Sequence, residues 1–301
     1  MNNVENPAQA ALQRILHEAT APLRKRYSEI AVHLTPPVDT EVVSGTSLTD
    51  ADTLRATLAR FSSSLGTTDE RIVGVHWLGQ LGYAVLPPVE MALTRAGIGL
   101  DASLDNLLIV QPNGSPAQIV LRDPTRMLVY APRCTDLPVV GQFAQPVASV
   151  EALQEYVLER MWNGTFTPLI DALHALTGVS RKVLWGQIAY EAELFYTTLL
   201  RVDPEERTSA WEEDWAATFG REHVPALGGP NPLYRPTREA VWTDPETGET
   251  EDYDVRTVCC LIYKVSVDRM CGACPLGLKE EQVVDKLGSV DARRAERAAL
   301  G

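Results

Sequence analysis

The sequence lacks several features that would point to common classes of function. Basic residues are scarce, with 27 Lys and Arg against 40 Asp and Glu and a formal net charge of −13. Proteins bind nucleic acid largely through positive charge, so this composition excludes nucleic acid as a partner class. No glycine-rich dinucleotide motif and no phosphate-binding loop is present. The chain therefore has no visible means of binding NAD(P)H or ATP by itself.

Long apolar runs are also missing. A membrane-spanning helix needs roughly 20 apolar residues, and the longest run here, 72–86, is interrupted by His76 and Gln80. That run predicts a buried helix. The first residues have neither the basic start nor the apolar core of an export signal. We therefore expect no integral membrane segment and a cytoplasmic location.

The patterns that are present predict an α+β fold, with a mostly helical body, a small antiparallel sheet and a short C-terminal subdomain. Helical spacing predicts helices over 8–19, 23–34, from the cap Thr49 onward, 69–85, 88–95, 150–160, 167–176, 181–200, 204–219 and 280–286. Alternating spacing predicts strands over 107–111, 118–122, 127–131 and 240–243, and another from 253 into the cysteines. The Gly- and Pro-rich segment 226–232 suggests a boundary or a lid.

Cysteines are few, but four of the five lie within 16 residues, as the doublet Cys259-Cys260 and the pair Cys271 and Cys274. The ten-residue spacer and the two-residue gap leave three interpretations open: a structural zinc ion, thiol–disulfide chemistry and an iron–sulfur cluster. Neighbouring side chains of a regular strand point to opposite faces, so the doublet can share one centre only if its backbone bends. The fifth cysteine, Cys134, is expected to fill space beside the sheet.

The cysteine segment Arg256-Thr-Val-Cys-Cys-Leu-Ile-Tyr263, with Cys271-Gly-Ala-Cys274 behind it, resembles the C-terminal [2Fe-2S] motif of the FhuF-like ferric siderophore reductases. The segments 97–106 and 120–123 also resemble the domain that this family shares with siderophore synthetases. Those synthetases carry Glu and His where this chain has Asp101 and Ser103. The resemblance implies a siderophore-recognition domain over residues 1–236 and a [2Fe-2S]-binding subdomain over 237–301.

The resemblance further implies that Cys259, Cys260, Cys271 and Cys274 hold a [2Fe-2S] cluster that passes one electron to a ferric siderophore. No catalytic residue is implied beyond these ligands. The electron would come from an external donor, either a ferredoxin or a flavin or NAD(P)H reductase. The alternative is a non-catalytic siderophore-binding protein, or a protein in which the four cysteines bind a structural zinc ion.

Three basic residues lie close to the cysteines of this acidic chain: Arg256, Lys264 and Arg269. Positive charge near a cluster raises its reduction potential and attracts anionic chelates, so these residues are candidate substrate-binding residues. A solvated strand face would explain them equally well. Among the histidines, only His223 is placed in a loop that could line a substrate cleft.

Overall fold

The computed structural model describes residues 6–24, 27, 29–202, 205, 207–243, 250–265, 271 and 273–276. Over these residues the protein is mostly helical with small sheets, so the predicted α+β fold is confirmed. The described helices are α1 (Pro7–Ala19), α2 (Ala21–Arg24), α3 (Ala51–Leu65), α4 (Glu70–Ala96), α5 (Leu137–Val140), α6 (Val150–Leu158), α7 (Thr167–Thr177), α8 (Arg181–Val202) and α9 (Ser209–Phe219). A π-helical segment, Glu159–Phe166, joins α6 to α7. The helix predicted over 280–286 lies outside the described residues.

The described strands are short. They are β1 (Val32–His33), β2 (Val42–Ser44), β3 (Ile98–Gly99), β4 (Leu107–Val110), β5 (Gln118–Leu121), β6 (Leu128–Val129), β7 (Gln145–Pro146), β8 (His223–Val224), β9 (Gly229–Pro230), β10 (Thr237–Thr243) and β11 (Thr250–Arg256). One sheet has the order β1-β5-β4-β2, a second has the order β3-β6-β7, and the remaining strands form the pairs β8-β9 and β10-β11. The predicted hairpin is the antiparallel pair β4-β5, and the predicted third strand, β6, belongs to the second sheet.

Helix α4 is the central element, and it differs from the sequence prediction. We expected two helices separated at Pro87-Pro88, but one helix of 27 residues runs through both prolines and ends at Gly97, whose φ is 63°. A proline inside a helix costs about 3 kcal/mol. Almost every residue of α4 from Ile72 to Thr94 is buried, so packing offsets the weak local propensity.

Two further predictions near the N-terminus are wrong. Among the described residues of the predicted helix 23–34, only Leu23 and Arg24 are helical, as the end of α2, whereas Val32 and His33 form β1 and pair in parallel with β5. On the free side of β1, the side-chain amide of Gln13 takes the place of a paired strand. It donates to the carbonyl of Val32 and accepts from the amide of Leu34. The cap of α3 is Asp50, which accepts a hydrogen bond from the Thr53 amide, because a 3₁₀ turn already contains Thr49.

Helices α4 and α8 pack closely in the middle of the core. Their approach depends on glycines of α4, since a β-carbon at Gly79 would lie 2.6 Å from Nε2 of Gln187. The aromatic side chains Tyr196, Phe195 and Trp162 are among the largest that are fully buried in the core. None of the helices in the described part of the chain combines the length and the apolar character needed to cross a membrane.

A buried carboxylate, Asp214, ties four elements of the body together. It is fully buried on α9 and accepts hydrogen bonds from Arg133 at 2.9 Å, from Thr94 on α4 at 2.8 Å and from Gln154 on α6 at 2.7 Å. Its neighbour Glu213 also contacts Arg133, but that side chain is 55% exposed. Buried charges of this kind are stable only while their partners are present.

We expect Asp214→Ala to lower the free energy of unfolding by about 3–5 kcal/mol, because it removes the buried acceptor of Thr94 and Gln154 and leaves Arg133 with only the exposed carboxylate of Glu213. Glu213→Ala is the matched control and should cost less than about 1 kcal/mol, since its pair is solvated. Urea denaturation of both variants measures the difference. Equal losses in the two variants would contradict this account of the core.

Candidate metal centre

The hairpin β10-β11 delivers the cysteine segment to the helical body. In its register Thr237 lies opposite Arg256, where β11 ends, three residues before Cys259. The Thr237 hydroxyl donates to Oε2 of Glu193 on α8 at 2.7 Å, and the Thr257 amide donates to the Pro236 carbonyl at 2.9 Å. The base of the hairpin is therefore fixed against α8, and the doublet follows directly from that base.

The backbone bends immediately after the doublet. Leu261 has a φ of 66°, which is unusual for a residue other than glycine, and a 3₁₀ turn follows over Ile262–Lys264. The Leu261 amide donates to the sulfur of Cys259 at 3.3 Å. Cys259 and Cys260 therefore do not lie in a regular strand, and this bend is the departure that adjacent cysteines need to serve one centre.

The second cysteine pair forms a turn against the end of β11. The amide of Cys274 donates to the carbonyl of Cys271 at 3.1 Å, and the carbonyl of Ala273 accepts from the Arg256 amide at 2.9 Å. The second hydrogen bond joins the two halves of the segment across the ten-residue spacer. Both cysteine pairs are thus brought to one end of the hairpin.

The four thiols lie at the boundary between core and solvent. Cys260 and Cys274 are buried, and Cys259 and Cys271 are half-buried. A hydrogen bond from the Cys271 thiol lowers the pKa of Cys260, and the same bond raises the pKa of Cys271. Burial raises the pKa of Cys259. Within the described ranges, no group of three or more His, Cys, Asp or Glu side chains could hold a single metal ion, so the joint ligation by all four cysteines stays a prediction.

The cysteine segment docks on α4 and α8. Nε2 of His76, on α4, donates to the carbonyl oxygen of Cys260 at 3.1 Å. On α8, Gly186 leaves room for Val258, because a β-carbon at position 186 would lie 2.5 Å from the Val258 β-carbon. The sequence analysis missed His76, since nothing local connects it with a cysteine 184 residues away. His223 is exposed in β8.

The three predicted basic residues have different surroundings. Arg256 is only 3% exposed: its Nη2 donates to Oε1 of Gln187 at 2.6 Å, and its guanidinium lies 4.3 Å from the centre of the Tyr190 ring. Lys264 is exposed at the end of the 3₁₀ turn. Arg269 lies outside the described residues. A substrate contact by any of the three stays a prediction, and burial makes Arg256 the least accessible of the described pair.

A buried carboxyl group lies next to this arginine. Nε2 of Gln187 donates to Oε1 of Glu191, one turn further along α8, at 2.6 Å. Burial raises the pKa of Glu191 to about 7, although attraction to Arg256 and the hydroxyl of Tyr83 partly opposes the shift. Gln187 and Glu191 were also missed by the sequence analysis, because their helix reads as an ordinary packed helix.

In the upstream segment with Asp101 and Ser103, the carboxyl group of Asp101 is buried and paired with other residues of the protein. Asp101 is 1% exposed and accepts from the amide of Ser103 at 3.1 Å. Nη2 of Arg126 lies 2.5 Å from Oδ2 of Asp101, while Nη1 lies 3.0 Å from Oδ2 of Asp105. The carboxylate of Asp101 is therefore already neutralised by a side chain of the same chain.

Comparison with known proteins bears on both parts of the molecule. The family model described as "Ferric iron reductase FhuF-like transporter" matches residues 75–240. The model described as "FhuF 2Fe-2S C-terminal domain" matches residues 256–276, which include both cysteine pairs. No curated protein sequence matches the chain.

Solved structures with a similar fold are siderophore synthetases. Aerobactin synthetase IucA from a hypervirulent pathotype of Klebsiella pneumoniae, bound to ATP, has a TM-score of 0.57 and 14% identity, covering 75% of this chain and 48% of its own. Aerobactin synthetase IucC from the same source has a TM-score of 0.54 and 15% identity, covering 76% and 48%. The petrobactin biosynthesis protein AsbB from Bacillus anthracis has a TM-score of 0.52 and 15% identity, covering 87% and 48%. This chain spans about half the length of these proteins, and the likeness shows the fold.

The fold and the cysteine motif together define an iron–sulfur protein, built on a scaffold also found in siderophore synthetases and carrying a [2Fe-2S] cluster as its cofactor. The chain belongs to the FhuF-like ferric iron reductase family.

We expect Gly186→Ala to destabilise the docked cysteine segment. Inside a helix this substitution ordinarily stabilises a protein by roughly 0.5–1 kcal/mol, but here the new methyl group meets the β-carbon of Val258. The purified variant should hold less iron per chain and unfold at a lower temperature. Gly82→Ala is the control, because the nearest atoms to its β-carbon are flexible tips of Ile188 and Leu86 at 3.3 and 3.4 Å. Wild-type iron content in Gly186→Ala would refute the contact.

Proposed function

We propose that the protein is a cytoplasmic ferric siderophore reductase that gives one electron to an Fe(III)–siderophore and releases Fe(II). The observation that carries the proposal is the meeting of both cysteine pairs at one end of the β10-β11 hairpin, on a body that belongs to the ferric iron reductase family. The division into a recognition domain, 1–236, and a cluster subdomain, 237–301, is part of the proposal.

Coordination chemistry explains why one electron is enough to release iron. Siderophore oxygen donors are hard and anionic and bind Fe(III) strongly, whereas Fe(II) is softer and carries less charge. Reduction therefore weakens the chelate. In the balanced step, a reduced donor protein loses one electron, one Fe(III) becomes Fe(II), and the siderophore leaves with its own bonds unchanged.

Cys259, Cys260, Cys271 and Cys274 are the proposed ligands. The donor set fits the group, since four thiolates are the usual ligands of a [2Fe-2S] cluster, and both cysteine pairs lie at one end of the hairpin. When bound, the cluster supplies a one-electron carrier. The chain's own residues hold the doublet against α4 through His76 and shield Cys260 and Cys274 from solvent.

The half-buried positions of Cys259 and Cys271 support electron exchange at the surface. A bulky ferric chelate and an external donor can both approach a centre at this boundary, whereas neither could enter the packed core. Because the sequence shows no nucleotide-binding motif, we propose that a ferredoxin or a flavin or NAD(P)H reductase supplies the electron. Lys264, exposed beside the doublet, is the described residue best placed to attract an anionic chelate.

Replacing the proposed ligands should abolish both colour and reduction. We expect each of Cys259→Ser, Cys260→Ser, Cys271→Ser and Cys274→Ser to lose most of the visible absorption and the electron paramagnetic resonance signal of the reduced protein. Anaerobic release of Fe(II) from ferric siderophores, captured by a chromogenic chelator, should fall with them. Cys134→Ser is the control, since Cys134 packs against the core beside β6 and not with the other four.

A colourless wild-type protein with one zinc ion per chain would overturn the reductase proposal and support a zinc-stapled protein. A coloured protein that binds ferric siderophores but transfers no electron to them from dithionite would leave only the binding role.

Lys264 has a separate test. We expect Lys264→Gln to raise KM several-fold for an anionic ferric chelate at low ionic strength, because one attractive charge near the site is lost, while kcat stays unchanged. The effect should shrink as salt is added and be absent for a neutral chelate. Lys182→Gln, an exposed lysine at the start of α8, is the control for net charge. An unchanged KM would remove Lys264 from the substrate approach.

A further inference from the structure

A chain of buried polar side chains runs from the end of β11 into helix α8. Arg256 donates to Oε1 of Gln187, and Nε2 of the same amide donates to Glu191, both at 2.6 Å. The three residues are 3%, 4% and 5% exposed, respectively. A cation and a carboxyl group are therefore linked through one amide inside the protein.

The groups on either side of the Gln187 side-chain amide fix its orientation. Its oxygen must face the guanidinium, which only donates, and its nitrogen must face the carboxyl group, which accepts. Gly79 of α4 provides the space for that nitrogen, since a β-carbon there would lie 2.6 Å from it. The face of Tyr190 covers the guanidinium at 4.3 Å. The arginine is thus held by its contacts with Gln187 and with Tyr190, and cannot swing out to solvent without leaving the Gln187 amide oxygen unpaired.

The hydrogen-bonded row of Arg256, Gln187 and Glu191 begins directly beside the cysteine segment. Arg256 is three residues before Cys259, and its amide is bonded to Ala273, between Cys271 and Cys274. A charge held inside a protein acts through a low effective dielectric constant, so it influences its neighbours more strongly than an exposed charge does. Reduction potentials of iron–sulfur centres depend on net charge and nearby charges.

We propose that Gln187 and Glu191 are positioning residues that set the reduction potential of the cysteine centre by fixing the buried charge of Arg256 beside it. The inference rests on the proposed function, because it assigns these two residues a role toward the same centre. Arg256 favours the reduced centre, which carries one more negative charge, and the carboxylate of Glu191 opposes it. The charges of Arg256 and Glu191 therefore shift the reduction potential in opposite directions.

The test compares three single variants by spectroscopic redox titration of the cluster-loaded protein at pH 8.5, above the pKa of about 7 to which burial raises Glu191. Gln187→Met keeps the side-chain length but removes both hydrogen bonds, and should lower the midpoint potential. Glu191→Gln keeps an acceptor for Gln187 but removes the charge, and should raise it. Each shift should change the ratio of reduced to oxidised protein at a fixed potential by about tenfold, which is about 59 mV for one electron.

Glu193→Gln is the matched control. It also removes a carboxyl group from α8, but that group accepts from Thr237 at the base of the hairpin. Its potential should stay at the wild-type value. A general loosening of the structure would move all variants in one direction, so opposite shifts in Gln187→Met and Glu191→Gln support the proposal. Potentials within the scatter of the control, or shifts of one sign, overturn it.

A second readout uses the cluster-free protein. If Gln187 positions Arg256, then Gln187→Met should label faster with a thiol reagent at Cys260, whose segment is anchored by that arginine, and Glu193→Gln should label at the wild-type rate. Labelling of Cys260 at the wild-type rate in Gln187→Met would contradict the positioning role. Release of Fe(II) by the wild-type protein is measured separately. Failure of the wild-type protein to release Fe(II) contradicts the reductase proposal, whereas unchanged potentials in the variants contradict this inference.

Discussion

The close contact between helix α8 and the residue before the doublet is the constraint on which the site depends. Gly186 lets Val258 lie against the backbone of α8, and His76 on α4 donates a hydrogen bond to the carbonyl of Cys260. A hairpin of two strands is only marginally stable alone. The cysteine segment is therefore held in place by its contacts with α4 and α8.

Burying a charge next to the cysteines has a cost that the helical body must offset. An unpaired arginine in the core would be strongly unfavourable, yet an arginine paired directly with a carboxylate would have much of its field cancelled. Placing Gln187 between Arg256 and Glu191 separates the opposite charges while satisfying a donor and an acceptor. The core around Asp214 is different, because there Arg133 and the carboxylate are in direct contact and serve stability.

The parts of the structure that depend on neighbours in sequence could be predicted, and the parts that depend on distant partners could not. The cysteine motif, the hairpin β4-β5 and the helix end at Gly97 follow from local spacing and turn chemistry. The parallel pairing of β1, the passage of α4 through two prolines and the hydrogen bond from His76 depend on residues far away in the chain. Arg256 shows the difference most clearly: its position near the cysteines was evident, but its burial required Gln187, 69 residues earlier.

The segment around Asp101 and the cysteine segment lie at different places on the helical body and differ in their surroundings. In this chain the segment around Asp101 and Ser103 is closed by the guanidinium of Arg126, so its carboxylate has a partner already and is shielded from solvent. The cysteine segment instead lies where α4 and α8 approach, on the side of the body reached by the β10-β11 hairpin. The helical body thereby supplies the surface that anchors the cysteine segment and the side chains of Gln187 and Glu191, while the proposed electron transfer depends on the cysteines that follow the hairpin.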